Sequence, residues 1–238
     1  KGMRMALSEK DFENAFRNAG SEAKNAFGDD ELYIEKVIVN PKHVEVQLLA
    51  DKHGNVIHLG ERDCSVQRKN QKLVEEAPCS IISEELRSAI GNDAVAAAKA
   101  VSYENAGTIE FLLDKDGHYY FMEMNTRIQV EHPVTEMVTG IDIVKEQVLI
   151  AAGHKMNYKQ KDIKISGHAI ECRINAEDPS KGFRPSPGKI LGLHIPGGNG
   201  VRVDSFLYQG YTVPPHYDSM LAKLIVYAGD REQAISKM

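Results

Sequence analysis

Tryptophan is absent from the 238 residues, and nothing follows from that alone. Other shortages exclude more. Only three cysteines occur, Cys64, Cys79 and Cys172, widely spaced and odd in number. They suit neither a disulfide framework nor a zinc knuckle, and they point to a reducing, cytoplasmic setting. No apolar run approaches the roughly 20 residues of a membrane-spanning helix, and no signal-like start is present. Net charge is −5, without a long basic tract, which argues against a nucleic-acid partner. No Gly-x-Ser-x-Gly elbow supports a hydrolase triad. Gly197-Gly198-Asn199-Gly200 lacks the Lys-Ser/Thr of a phosphate loop and any helical pattern behind it, so it reads as a turn.

What remains is ordinary globular composition, 42% hydrophobic and 26% charged, enough for one large domain or two small ones. Ser8 with Asp11 opens a helical pattern that runs through Phe27 and is interrupted near Gly20. Leu32 to Ile38 reads as a strand. His43 to Ala50 alternates, with Val44, Val46 and Leu48 on one face, and Val56 to Arg62 returns after a turn. Asp63 to Pro78 reads as irregular and densely polar. Ser83 caps an Ala-rich helix reaching about Val101, and Ile141 to Ala152 is a further apolar-periodic helix ending at Gly153. Beyond residue 160 the pattern changes. Gly167 to Arg173, Gly188 to His194, Val201 to Phe206 and Met220 to Tyr227 read as strands between Gly/Pro turns. Two regions are expected, 1–160 and 161–238, the second rich in β-structure.

Gly107 to Thr135 carries the most chemistry. Asp116-Gly117 is a two-residue type I′ turn signal between β-rich runs. With that turn, Lys115 pairs with His118, and Glu110 falls opposite Glu123. Facing carboxylates repel each other, and a cation resolves the conflict. Mg²⁺ favours carboxylate oxygens together with substrate phosphates. Asn125, two residues beyond Glu123, shares its face and offers a neutral oxygen. Arg127, Gln129 and Glu131 then alternate with Ile128 and Val130, extending the polar face. Spacing alone leaves two readings open, a solvated hairpin and a metal and anion site.

Elsewhere the signals are weaker. Glu61 to Glu76 gathers cations and amides. It is either a solvated linker or an anion clamp, with Lys72 as a point charge and Arg68 and Gln67 as directed donors. Glu35-Lys36-Val-Ile38 is either a plain strand end or a backbone edge for adenine. His43 and Arg173 each have structural and functional readings.

Together these stretches resemble the biotin carboxylase component of acetyl-CoA carboxylase, an ATP-grasp enzyme. The matching pieces are Glu35-Lys36, His43 to Gln47, Glu61 to Ser65, Gln71 to Pro78, Phe121 to Glu136, Glu171 to Pro179, Pro185 to Gly188 and Gly210 to Met220. They run essentially end to end. Pyruvate and propionyl-CoA carboxylases share the Met-Asn-x-Arg-x-Gln-Val-Glu-His run, while other stretches look more like the bacterial or plastid acetyl-CoA enzyme.

The resemblance implies an α+β fold, an ATP-grasp core of mostly antiparallel sheet with flanking helices followed by a β-rich biotin carboxylase C-terminal region. It implies ATP, Mg²⁺ (or Mn²⁺) and bicarbonate as cofactors and substrates, with biotin carried on a biotin carboxyl carrier protein, and carboxyltransferase subunits and a homodimeric parent as partners. Glu110, Glu123 and Asn125 would hold the metal. Met3, Glu35, Lys36 and Ile38 would line the adenine pocket, with His43 and Gln67 at the ribose. Lys72, Arg127, Gln129 and Val130 would surround bicarbonate, Glu131 would deprotonate it, and Arg173 would stabilise the biotin enolate. The rival is another ATP-grasp ligase making an acyl or carbamoyl phosphate. Two departures stand out. Asn70 occupies a position where many relatives have His. Lys1-Gly2-Met3 looks like the trailing edge of the family's glycine-rich loop, so the chain is expected to be an internal fragment that does not turn over alone.

Overall fold

The computed structural model describes residues 2–238 and divides into two compact units at Asn40/Pro41. The first holds one helix, α1 (Glu9–Phe27), continuous through Gly20. The Ser8 hydroxyl accepts from Asp11 N at 3.3 Å, and Gly28, in the left-handed region, donates to the Lys24 carbonyl. These are the start and stop signals of an isolated helix. Leu32 to Ile38 forms no strand. Without regular partners on either side, its β-prone residues have no ladder to join.

The second unit is built on one eight-stranded antiparallel sheet. Its strands are β1 (Lys42–Ala50), β2 (Val56–Arg68), β3 (Gln71–Ala77), β4 (Asn105–Leu113), β5 (Tyr119–Asn125), β6 (His168–Asn175), β7 (Val201–Ser205) and β8 (Met220–Ala228). Their spatial order is β7-β8-β6-β3-β2-β1-β4-β5. The stretch Asp63 to Pro78, expected to be irregular, is instead the end of β2 and all of β3. Lys69 and Asn70 between them both have positive φ, the signature of a two-residue type I′ hairpin turn, and Asn tolerates that conformation. The expected strand at Gly188 to His194 shrinks to Gly188–Lys189, paired with Thr212–Val213.

Helices cover both faces. α2 (Glu84–Ala100), capped by Ser83, packs Ile90, Ala94 and Ala98 on Val46, Leu48, Ile109 and Phe111. On the opposite face, α4 (Ile143–Ala151) sets Ile143 and Ile150 against Leu49, Ile57, Leu59 and Ala106. α3 (His132–Thr139) places Val134 and Val138 on Ala77, Ala169 and Ile225. α5 (Arg231–Lys237) buries Ala234 against Ile170, Val226 and Ala228. Sandwiched between helices, β1 is buried on both faces from Val44 onward, so the polar alternation His43, Glu45, Gln47 points into protein. No helix among the described residues is long and apolar enough to cross a membrane.

Candidate active site

Strand register assembles a polar layer on the face that α3 and α4 cover. Arg62, Glu45, Glu110 and Glu123 stand side by side across β2, β1, β4 and β5. Gln47, Thr108 and Asn125 form the next row. Glu110 does face Glu123, but by two compensating departures from the simple hairpin. The loop is one residue longer, closed by Asp114 N donating to the His118 carbonyl, and a bulge in β5 between Phe121 and Glu123 restores the register.

Three facing carboxylates need counter-charge. Arg62, fully buried, supplies part of it. Its Nε donates to Glu45 Oε1 at 2.6 Å, and its terminal nitrogens donate to Gln47, Thr135, Thr108 and Gln129 at 2.8 to 3.3 Å. Lys72 Nζ donates to Glu45, to Glu110 Oε1 (2.8 Å) and to Glu131 Oε1 (2.7 Å). His43 Nε2 lies 2.8 Å from Glu110 Oε2, and Gln67 Nε2 lies 3.2 Å from the other ring nitrogen. Burial alone would raise the Glu45 pKa, but Arg62, His43 and Lys72 hold it well below the carboxylate range. For Lys72, burial favours the neutral amine and is outweighed by Glu45 and Glu131, so the ammonium persists. Burial likewise lowers the His43 pKa, and the neighbouring Glu110 and Glu45 carboxylates overcome it, raising it to about 9.

β5 ends at Asn125, and Arg127 to Glu131 is not the alternating strand expected from sequence. The chain turns instead, and Glu131 becomes the residue preceding α3. Its polar groups reach the same layer by another route. Gln129 Nε2 donates to Glu110 Oε1 at 2.7 Å. The Val130 carbonyl accepts from Lys223 at 2.7 Å. Glu131, 2% exposed, accepts from Lys72 and, at 3.1 Å, from Arg173 Nη2. Arg173 Nε in turn donates to Glu75 at 2.7 Å. Arg127 stays at the exposed rim, donating to the Ile128 carbonyl and to Asn125 Oδ1.

The Asn125 amide bridges Glu110 (3.0 Å) and Glu123 (3.1 Å). Glu110 and Glu123 at the edge of the layer offer carboxylate oxygens that suit a hard dication carrying phosphates, with the Asn125 side chain between them, its nitrogen turned to both carboxylates and its oxygen accepting from Arg127. Arg68 is drawn instead into an ion pair with Glu177 and lies 4.2 Å over the Phe183 ring. Met3, Glu35, Lys36 and Ile38 belong to the first unit, where Met3 is 79% exposed.

Sequence reasoning missed Glu45, Arg62, Glu75, Glu171 and Lys223. A signal existed for the first. Glu45 shares a strand face with His43 and Gln47, and three polar residues at alternate positions on a strand buried between helices imply a polar layer.

The comparisons agree with this architecture. Residues 1–159 match the carbamoyl-phosphate synthase L chain, ATP binding domain, and residues 171–238 match the biotin carboxylase C-terminal domain. The chain is 59% identical to biotin carboxylase of Haemophilus influenzae and 58% identical to chloroplastic biotin carboxylase of Arabidopsis thaliana, in both cases over all of its own length and over 53% and 44% of theirs. It thus spans about half the length of the curated relatives it matches. The biotin carboxylase domain dimer of Hydrogenobacter thermophilus 2-oxoglutarate carboxylase, solved with MgADP, ADP and bicarbonate, superposes with a TM-score of 0.93 at 55% identity, covering all of this chain and 52% of that one. With both halves matched and the sheet reproduced, the chain belongs to the biotin carboxylase family of ATP-grasp ligases.

Proposed function

We propose that the protein containing this chain carboxylates biotin on a biotin carboxyl carrier protein, using MgATP and bicarbonate through carboxyphosphate, as the first half-reaction of acetyl-CoA carboxylase in fatty acid synthesis. The observation that carries the reading is the convergence of Lys72, Glu131 and Arg173. An ammonium, a carboxylate and a guanidinium are held in hydrogen-bond contact beside the Glu110–Asn125–Glu123 edge.

In this reading Mg²⁺, held by Glu110, Glu123 and Asn125, supplies charge neutralisation on the ATP phosphates. Bicarbonate lies among Lys72, Arg127, Gln129 and the Val130 backbone. Glu131 takes its proton, which makes it a competent nucleophile toward the γ-phosphorus. Lys72 meets the charge that develops on the transferring phosphoryl group. Carboxyphosphate, formed as ADP departs, breaks down to CO₂ and phosphate. The phosphate takes the biotin N1′ proton, negative charge gathers on the ureido oxygen, where the planar Arg173 fork suits it, and N1′ then attacks CO₂. His43 and Gln67 serve the ribose. Met3, Glu35, Lys36 and Ile38 serve adenine.

Residues 1–160 act as the ATP-grasp region and 161–238 as the C-terminal region that brings Arg173. Carboxyltransferase subunits and a second copy of the parent are the partners, and the bacterial and chloroplastic relatives support the cytoplasm or plastid stroma as its location. The 2-oxoglutarate carboxylase relative keeps another carboxyl acceptor as the second reading, since the acceptor is chosen elsewhere.

The test is ADP release by the complete protein with MgATP and bicarbonate, with and without free biotin. Strong biotin stimulation that disappears in Glu123→Gln is expected. ADP release indifferent to biotin would move the acceptor to another nucleophile and remove the role given to Arg173.

A further inference from the structure

Behind the Arg173 guanidinium lies a feature that the reaction above leaves unused. Glu75 on β3 and Glu171 on β6 are directly opposite in the ladder, and both are fully buried. Facing residues on adjacent antiparallel strands stand with Cβ atoms about 4.5–5.5 Å apart. Of the four carboxylate oxygens, only Glu75 Oε1 has a hydrogen-bond partner, Arg173 Nε; Glu75 Oε2 and both oxygens of Glu171 have none. Two buried carboxylates at this separation do not both ionise.

The surrounding charges decide which one keeps a proton. On β6 itself, Arg173 binds Glu75 and turns its other end to Glu131. Lys223 on β8 stands opposite Arg173 in the ladder and donates to the Val130 carbonyl, with Asp204 at 3.5 Å. Glu131 at the start of α3 and Glu45 on β1 add negative charge. Arg62 on β2 is committed to Glu45. His132 on α3 has its ring on the Gln129 carbonyl. Among the described residues, no cation contacts Glu171 directly. Burial and then Glu75 push its pKa up to about 9. Burial also raises Glu75, to about 7, against the opposing pull of Arg173.

We propose that just above neutral pH Glu75 and Glu171 hold one proton between them, Glu171 as the neutral acid and Glu75, bound to Arg173, as the anion, and that this pair positions Arg173. The proton removes a second negative charge that would otherwise draw the guanidinium back into the sheet. The remaining anion fixes Nε, so that the opposite end of the fork is presented to the reacting groups. Glu75 and Glu171 are positioning residues, acting through Arg173. The assignment rests on the biotin carboxylase reading only for what Arg173 receives.

Two measurements on the complete enzyme test it. Infrared spectroscopy with ¹³C-glutamate labelling is expected to show a protonated carboxyl C=O stretch just above neutral pH that Glu171→Gln, a near-isosteric neutral replacement, removes. If Glu171→Gln removes no such band, the shared proton is overturned, whether or not biotin stimulates ADP release. In kinetics, Glu75→Gln is expected to lower biotin-dependent kcat by about tenfold or more, the scale of one charge-assisted hydrogen bond. KM for ATP and bicarbonate should stay unchanged, and Glu75→Asp should recover part of the loss. Equal loss of biotin-independent and biotin-dependent ADP release would overturn the positioning role. A wild-type enzyme without biotin stimulation would instead be a failure of the functional reading, with the infrared result still deciding the pair.

Discussion

Arg62→Met tests whether the polar layer holds the sheet together. The substitution keeps the apolar stem and removes five donated hydrogen bonds, to Glu45, Gln47, Thr108, Gln129 and Thr135. Breaking one partner of a buried ion pair costs roughly 3–5 kcal/mol, because the other charge stays buried. Glu45 retains Lys72 and His43, which places the ion-pair loss at the low end. The orphaned Gln and Thr acceptors add about 1 kcal/mol each where they cannot turn to another donor. The sum is about 5 kcal/mol, a large share of the roughly 5–15 kcal/mol by which domains are stable. With a urea slope of about 2–3 kcal/mol/M, the unfolding midpoint falls by about 2 M. Equilibrium urea unfolding followed by far-UV circular dichroism measures it, with Arg62→Lys as an intermediate that keeps the charge and loses the fork. Pairing Arg62→Met with Glu45→Gln should recover part of the loss, since the two changes share one contact. A midpoint shift below about 0.5 M for Arg62→Met would refute the reasoning.

Other expectations follow from single contacts. Glu123→Gln should weaken Mg²⁺-dependent nucleotide binding by about tenfold or more in calorimetry of the complete protein, about 1.4 kcal/mol, with metal-free nucleotide binding little changed. Glu76 accepts from His168 (2.7 Å) and Arg231 (2.6 Å); burial opposes its ionisation, and these partners overcome it, holding its pKa at about 2. A depressed carboxylate contributes stability above its unfolded pKa and loses it as pH falls toward the folded value. Acid titration of the midpoint should therefore steepen below about pH 4.5, and Glu76→Gln should flatten it. Gly167 has φ +67°, and a Cβ there would come 2.4 Å from the Ala228 carbonyl oxygen. Gly167→Ala should lower stability by about 2 kcal/mol or more, read by thermal unfolding.

Much of the sheet was legible in the sequence because its strands alternate or carry β-branched runs, and the caps at Ser8 and Ser83 announced two helices. The facing of Glu110 and Glu123 was also legible, although the bulge and the longer loop that produce it were not; their effects on register cancel. Arg127 to Glu131 misled, because alternation suggests a strand, whereas His132-Pro133 opens α3 and bends the preceding chain. Asp63 to Pro78 misled in the opposite sense. Its charged residues read as a solvated linker or an anion clamp, yet all but Lys69 pair with other charges of the protein. A rule that sends polar residues to water fails where a polar layer is itself the interior. Glu75 and Glu171 were invisible for a further reason: they lie 96 positions apart, and only the β3–β6 pairing brings them together.

That pairing has a mechanical consequence. β3 and β6 are zipped from Val74/Cys172 to Ala77/Ala169, inside a sheet that continues without a break to both of its edges. Lys72 and Arg173 are therefore mounted on one stiff plate, and their spacing does not depend on a hinge between them. Amides along this seam should exchange with solvent only when the whole plate comes apart. Whatever motion admits substrates and shuts water out has to come from parts that ride on the plate's faces and rim, while the charges that do the chemistry stay where the ladder fixes them.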